Sequence, residues 1–115
     1  MPITPTPKIW MNGELVDWDQ AQVHVLTHTL HYGTGVFEGI RAYETPNGSA
    51  IFRLAEHTQR FLNSAKIFQM KVGYDAATLA EATKEVVRRN NLKSCYIRPI
   101  AWIGSERLGI AASTN

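Results

Sequence analysis

The chain has 115 residues, of which 44% are hydrophobic and 19% charged, and its formal net charge is +2. This length is typical of one domain with its own core, and the scattered positive charge excludes the concentrated basic stripe of a nucleic-acid-binding surface. No apolar run approaches the roughly 20 residues that cross a bilayer, so we expect neither a membrane nor a nucleic acid as a partner. The single cysteine, Cys95, excludes an internal disulfide, and the opening MPITPTPK lacks the features of a secretory signal. We therefore expect a cytoplasmic protein.

The N-terminal third is predicted to contain a tail, a hairpin and an irregular segment. Alternating prolines indicate an extended tail over residues 1–7. Asn12-Gly13 suits a two-residue turn, which predicts a β-hairpin over residues 8–18. Residues 23–26 are interpreted as strand or loop, followed by an irregular turn that ends at Gly35.

The middle of the chain is predicted to form an antiparallel strand pair. Residues 36–43, VFEGIRAY, have the composition of a strand, and the sequence TPNG at 45–48 is typical of a turn. Residues 50–54 then return as the partner strand.

Two helices and a last strand follow. Apolar residues at helical spacing predict a first helix over 54–68, and Asp75 is placed to cap a second helix that reaches Asn90 and Asn91. Residues 94–104 have strand composition, and Pro99 within them favours an edge position or a bulge. The predicted buried residues of the two helices are Leu54, Phe61, Leu62, Ala65, Phe68, Leu79, Ala80, Ala82, Thr83, Val86 and Val87. This order of elements predicts an α+β fold over residues 8–115, an antiparallel sheet with two helices packed on one side.

Alternation of side chains along the predicted strands places aromatic and basic residues together. Phe37, Gly39 and Arg41 fall on one face of the first strand, and Tyr96 with Arg98 on one face of the later strand. If those faces adjoin, they form a pocket with aromatic walls and fixed cations that suit a carboxylate or a phosphate. A half-exposed sheet face without a ligand explains the same pattern. Gly39 within a strand indicates that some group approaches the backbone closely.

Two further candidates are weaker. His24, His28 and His31 would suit zinc on a helix, but Val23, Val25 and the glycines around them disfavour a helix there. Local hydrogen bonds that shape a turn are the alternative, and no metal is expected. Arg60, from its position on the first helix, would be an ordinary solvent-facing arginine.

Taken with these residues, the sequence resembles the N-terminal part of the branched-chain amino-acid aminotransferases, which are pyridoxal-phosphate enzymes of fold type IV. The most specific stretches are HYGTGVFEGIRAY at 31–43 and YIRP at 96–99. The resemblance also includes IWMNGELVDW, EHTQRFLNSAKI and RRNNLKSCYIRPIAWIG, so it extends over nearly the whole chain.

The resemblance implies roles for individual residues. Arg60 matches the arginine that binds the phosphate of pyridoxal 5'-phosphate, and Tyr96 with Arg98 matches residues that hold substrate carboxylates. Phe37 and Gly39 match residues that line the substrate pocket. Glu38 and Arg41 are assigned supporting roles only, such as an ion pair or hydrogen bonds. Two further residues match positions that reach the pocket of a partner subunit in a homodimer or an assembly of dimers: Tyr32 and Ile110.

The implied activity is transfer of the amino group of leucine, isoleucine or valine to 2-oxoglutarate, which yields glutamate. In this family the lysine that binds the cofactor lies in a C-terminal domain. None of the lysines of this chain matches it: Lys8, Lys66, Lys71, Lys84 and Lys93. We therefore assign no catalytic residue and expect the isolated chain to be inactive. Two alternatives stay open: another fold type IV enzyme (D-amino-acid aminotransferase or aminodeoxychorismate lyase), or a non-catalytic interaction domain.

Overall fold

A computed structural model describes residues 3–104, so the predicted site residue Ile110 lies outside the described residues. The described strands are β1 (Lys8–Met11), β2 (Glu14–Asp17), β3 (Gly35–Phe37), β4 (Ile40–Thr45), β5 (Gly48–Ile51), β6 (Cys95–Ile97) and β7 (Ile100–Trp102). The α-helices are α1 (His28–Tyr32), α2 (Leu54–Ile67) and α3 (Ala76–Arg89), and a short 3-10 helix spans Trp18–Gln20. The α+β prediction is confirmed. None of the helices within 3–104 is both long and apolar enough to span a bilayer.

The predicted hairpin is present as β1 and β2. Asn12 and Gly13 form its turn with φ angles of 54° and 95°, the positive values that a tight two-residue turn requires. The hairpin lies against the segment before α3, where the rings of Trp10 and Tyr74 pack edge to face at 5.2 Å. A β-carbon at Gly13 would stand 2.8 Å from the Tyr74 hydroxyl. The turn is therefore restricted to glycine by both its backbone and its neighbour.

Replacing Gly13 with alanine is expected to lower the free energy of unfolding by about 1.5 kcal/mol, because alanine is strained at the positive φ and also displaces Tyr74. Gly48→Ala is a matched control, since Gly48 has a φ of 108° but open space around its Cα. It should cost about 1 kcal/mol. Urea denaturation of both variants measures the difference, and equal losses would exclude a contribution from Tyr74.

Strands β3, β4, β6 and β7 form one long antiparallel ribbon with an interruption, and β5 pairs with the free edge of β4. Phe37 pairs with Ile100 and Ile40 pairs with Ile97, so both halves share one register. Regular pairing stops at Glu38-Gly39 opposite Arg98-Pro99, although the Glu38 N–H still donates to the Pro99 carbonyl at 3.1 Å.

Two strand predictions are corrected by this ribbon. Residues 36–43 and 94–104 are not single strands, because each divides at the interruption, where Pro99 has no N–H to donate. No residue is inserted, so the proline marks a gap in the ladder and not a bulge. The predicted edge position is confirmed for the described residues, where β6 pairs only with β4.

The return strand of the middle hairpin also differs from its prediction. It spans Gly48–Ile51 instead of 50–54, since the antiparallel pairing with β4 begins at Thr45 and Gly48 and α2 begins at Leu54.

Both predicted long helices are confirmed: α2 packs against β3 of the ribbon, and α3 packs against α2 and β1. The Asp75 carboxylate accepts a hydrogen bond from the Thr78 N–H at 2.8 Å, which caps α3 as expected. Phe68 is a correction: it is 49% exposed, because α2 ends at Ile67 and the chain turns away. The main core joins the ribbon to α2 and comprises Val36, Phe61, Ala65, Met70 and Ala101, with Val72, Leu79 and Ile103 packed against it.

The prediction of an irregular turn before β3 is wrong in part. Residues His28–Tyr32 form α1, which ends at Gly33 with a φ of 68°. The Gly33 N–H donates to the Thr29 carbonyl at 2.8 Å, as in a left-handed helix stop. A helix this short has almost no periodic signal, whereas the β-branched residues before it favour extended backbone.

Candidate functional site

The predicted aromatic and basic cluster forms on the face of the ribbon away from the helices. The Arg98 guanidinium lies 4.2 Å from the centroid of the Phe37 ring, a cation–π contact. Arg98 Nη2 also donates to the Tyr96 hydroxyl oxygen at 2.7 Å. The cation is therefore held between two aromatic side chains, one from each strand of the ribbon.

The close approach to the Gly39 backbone that the sequence predicted is present, and the approaching group is the Tyr96 side chain. A β-carbon at Gly39 would stand 2.5 Å from the Tyr96 hydroxyl and 3.2 Å from the adjacent ring carbon. The glycine therefore lets the tyrosine ring lie across the interruption in the ribbon. Arg41 stands over the same ring at 5.6 Å, so its contact with this cluster is a cation–π contact, whereas the examples given for its supporting role were an ion pair or hydrogen bonds.

This face of the ribbon is open. Phe37 is 58% exposed and Tyr96 is 49% exposed, and Tyr43 and Ile100 are exposed to a similar extent. Apolar side chains around two fixed arginines can bind a molecule that combines an aliphatic group with a carboxylate.

The opposite side of the interruption carries a buried carboxylate. Glu38 is 5% exposed and receives Arg60 side-on: Nε donates to Oε2 and Nη2 donates to Oε1, each at 2.8 Å. His57 Nδ1 lies 2.9 Å from the same Oε1. His57 and Arg60 are three residues apart on α2, so both side chains reach the carboxylate from one helix face.

The Arg60 hydrogen bonds lower the pKa of the Glu38 carboxyl below its ordinary value. Burial of Glu38 acts in the opposite direction, and the hydrogen bond from His57 adds to the lowering. The Arg60 guanidinium is 67% exposed, and its own pKa is raised by the same carboxylate. The carboxylate is therefore ionised at neutral pH.

The structure brings four of the predicted residues together and leaves two apart. Phe37, Gly39, Tyr96 and Arg98 form the open face. Arg60 lies with Glu38 on the helix side, and no hydrogen bond within 3–104 joins it to Tyr96 or Arg98. Tyr32 lies on α1, 71% exposed, with its ring 4.4 Å from that of His28.

The three histidines before β3 make local hydrogen bonds. His24 Nδ1 accepts from the Leu26 N–H, His28 Nδ1 lies 2.8 Å from Thr34 Oγ1, and His31 Nε2 lies 2.8 Å from the Val25 carbonyl. Within residues 3–104, no three histidine, cysteine or acidic side chains are placed to hold a metal ion.

Sequence reasoning missed His57. Its spacing of three from Arg60 on a predicted helix was a usable signal, but the carboxylate that joins them comes from the interruption between β3 and β4, 19 residues before His57.

Comparison with known proteins identifies the family of the chain. The family described as Amino-transferase class IV matches residues 35–115. A branched-chain-amino-acid aminotransferase of Pseudomonas aeruginosa is 58% identical over 105 residues, which cover 91% of this chain and 34% of that protein. The enzyme of the same name from Escherichia coli K12 is 50% identical over 102 residues, 89% of this chain and 33% of that protein.

Solved structures agree. The T.th. branched-chain amino acid aminotransferase, complexed with N-(5'-phosphopyridoxyl)-L-glutamate, superposes with a TM-score of 0.88 at 58% identity, covering 91% of this chain and 35% of that one. The Escherichia coli enzyme gives 0.88 at 48% identity, with 92% and 36% covered. The chain thus spans about a third of the length of these relatives. Since the family match includes more than half of its residues, the chain belongs to the class IV aminotransferases.

Proposed function

We propose that this chain is part of a branched-chain amino-acid aminotransferase that transfers the amino group of leucine, isoleucine or valine to 2-oxoglutarate. The observation that carries the proposal is the Arg98 cation held between Phe37 and Tyr96 on an open apolar face. An aliphatic side chain would contact the Phe37 ring, and a carboxylate would take the remaining N–H groups of Arg98. The relatives are named for branched-chain amino acids, which supports that class of amino donor.

The cofactor of this activity would be pyridoxal 5'-phosphate. The T.th. relative has been solved with pyridoxamine 5'-phosphate. In this chain Arg60 fits a phosphate: it is exposed, and its pairing with Glu38 through Nε and Nη2 leaves three of five N–H groups for another acceptor. When bound, the cofactor supplies the carbonyl that exchanges amino groups and the ring that withdraws electrons.

The residues of this chain would bind and orient, and they would not move the substrate proton. Arg98 and Tyr96 would fix a carboxylate, Phe37 would exclude water from the aliphatic side chain, and Gly39 would leave space for the Tyr96 ring. The proton transfer needs a basic group such as the family lysine, which the resemblance places outside these 115 residues. The chain by itself is therefore expected to be inactive.

The proposal includes assembly and location. Tyr32 and Ile110 would reach the substrate pocket of a partner subunit in a homodimer or a larger assembly of dimers. The exposure of Tyr32 on α1 is consistent with such a contact. The enzyme would act in the cytoplasm on small amino acids and keto acids.

Borohydride reduction tests whether any lysine of these 115 residues binds the cofactor covalently. The purified chain is mixed with pyridoxal phosphate, reduced, and analysed by intact mass and peptide mapping. We expect only low, unspecific labelling spread over the lysines. Stoichiometric labelling of one lysine would contradict the proposal, because the 115 residues would then hold the cofactor covalently. A P. aeruginosa relative treated in parallel serves as the positive control.

Arg98 is expected to govern acceptance of glutamate, whose second carboxylate needs a cation. In the longer enzyme, Arg98→Ala should lower kcat/KM for glutamate about tenfold more than for leucine, the equivalent of one charge-assisted hydrogen bond. Arg88→Ala is the matched control, since Arg88 is exposed on α3 and pairs with Glu85. Equal losses for both substrates would show that Arg98 does not discriminate between them.

A further inference from the structure

We propose that Glu38 and His57 are positioning residues that hold the Arg60 guanidinium side-on, so that its outer edge is left to bind a phosphate group. This inference rests on the proposed function of Arg60. It adds His57, whose side chain has no role in the binding surface described above.

The pairing mode of Arg60 decides which of its N–H groups are available. A guanidinium can meet a carboxylate side-on through Nε and one Nη, or end-on through both Nη atoms. In this chain the pairing is side-on, with Nε and Nη2 bonded to Glu38. One N–H of Nη1 and the second N–H of Nη2 remain as a parallel pair along the outer edge of the guanidinium. Their spacing matches two oxygens of a phosphate.

His57 holds the carboxylate in the orientation that this mode requires. Its Nδ1 and the Arg60 Nη2 both contact Oε1, whereas Arg60 Nε donates to Oε2 at 2.8 Å and, less closely, to Oε1 at 3.0 Å. Rotation of the carboxylate would break the His57 contact. Without that contact, Glu38 could rotate and pair with Arg60 end-on, and the edge that suits a phosphate would then be occupied.

Burial makes this arrangement rigid on one side and open on the other. The Glu38 side chain is 5% exposed and that of His57 is 23% exposed, but that of Arg60 is 67% exposed. The carboxylate and imidazole are fixed by packing between α2 and the ribbon, and the guanidinium projects from them toward solvent. An incoming dianion would therefore meet a cation whose orientation is already set.

The experiment compares three variants of the chain by NMR of the Arg60 side chain, labelled with the nitrogen-15 isotope. His57→Leu removes the ring nitrogen, His57→Gln keeps a hydrogen-bonding amide, and His24→Leu is the matched control at an exposed loop histidine. The first readout is solvent exchange of the Arg60 Nε–H without ligand. We expect exchange about fivefold faster in His57→Leu, and within about twofold of the unmodified chain in the other two variants.

The second readout is the dissociation constant for inorganic phosphate, followed at the Arg60 signals. We expect it to rise about threefold to fivefold in His57→Leu and to be restored in His57→Gln. Phosphate binding at Arg60 that is unchanged by His57→Leu would overturn the inference and leave the phosphate role of Arg60 intact. Absence of phosphate binding at Arg60 in the unmodified chain would overturn both this inference and the proposed phosphate role of Arg60.

Discussion

Replacing Glu38 with glutamine is expected to lower the free energy of unfolding by about 2 kcal/mol. The substitution keeps the volume of the side chain, so packing around the interruption in the ribbon is preserved. It removes the charge that Arg60 and His57 both contact. It can also place an amide N–H, which is a donor, where the Oε1 atom of Glu38 accepts hydrogen bonds from both side chains. The loss is smaller than for a fully buried ion pair, because Arg60 can turn into solvent.

The same variant should lose part of the acid sensitivity of the fold. The folded-state pKa of Glu38 is lowered, so its contribution to stability is fully present above the ordinary value of about 4.3 and is lost as the pH falls through the folded-state pKa. In Glu38→Gln this contribution is absent at every pH. The curves of the two proteins should therefore be about 2 kcal/mol apart near neutral pH and converge in acid.

Urea denaturation at several pH values between about 3 and 7 measures both effects. Glu85→Gln is the control, because Glu85 also pairs with two arginines but at the surface of α3. Its change should remain within about 0.5 kcal/mol. If Glu38→Gln and Glu85→Gln behaved alike, the buried carboxylate would contribute no more than an ordinary surface pair.

Features encoded by neighbouring residues were predictable from the sequence. The Asn12-Gly13 turn depends on two backbone conformations, and the start of α3 depends on Asp75 and a backbone N–H three residues later. The alternation of Val36 and Glu38 inward with Phe37 outward follows from the period of a strand. Each of these signals is contained within a few residues.

Features that depend on distant partners were not predictable in the same way. The gap in the ribbon requires Pro99 to lie opposite Glu38, which is a matter of register between strands far apart in the sequence. Arg60 seemed to be a solvent-facing arginine because its helix position gives no information about the strand beneath it. Its partner Glu38 was visible as a residue of the motif, but the placement of α2 over β3 determines their contact. Only the resemblance to a family suggested the phosphate-binding role that we propose for Arg60.

Gly39→Ala is expected to reduce kcat/KM for glutamate about 100-fold in the proposed full-length aminotransferase, with a change of less than about 1 kcal/mol in the stability of this chain. The new β-carbon would stand 2.5 Å from the Tyr96 hydroxyl, so the ring must move. Tyr96 is half exposed and can swing outward at little cost to folding. The movement would take the hydroxyl away from Arg98 and disorder the cation that we propose binds the second carboxylate of glutamate.

A double-mutant cycle with Tyr96→Phe separates this explanation from a general effect of alanine in the strand. Tyr96→Phe removes the hydroxyl that meets the β-carbon and also the acceptor of the Arg98 bond. Gly39→Ala should therefore cost much less kcat/KM in the phenylalanine background than in the tyrosine background. Additive losses would mean that the glycine serves the site by another route, such as direct approach of a ligand to its backbone. The glycine would then belong to the binding surface itself, and the Tyr96 ring would be a neighbour and not the reason for it.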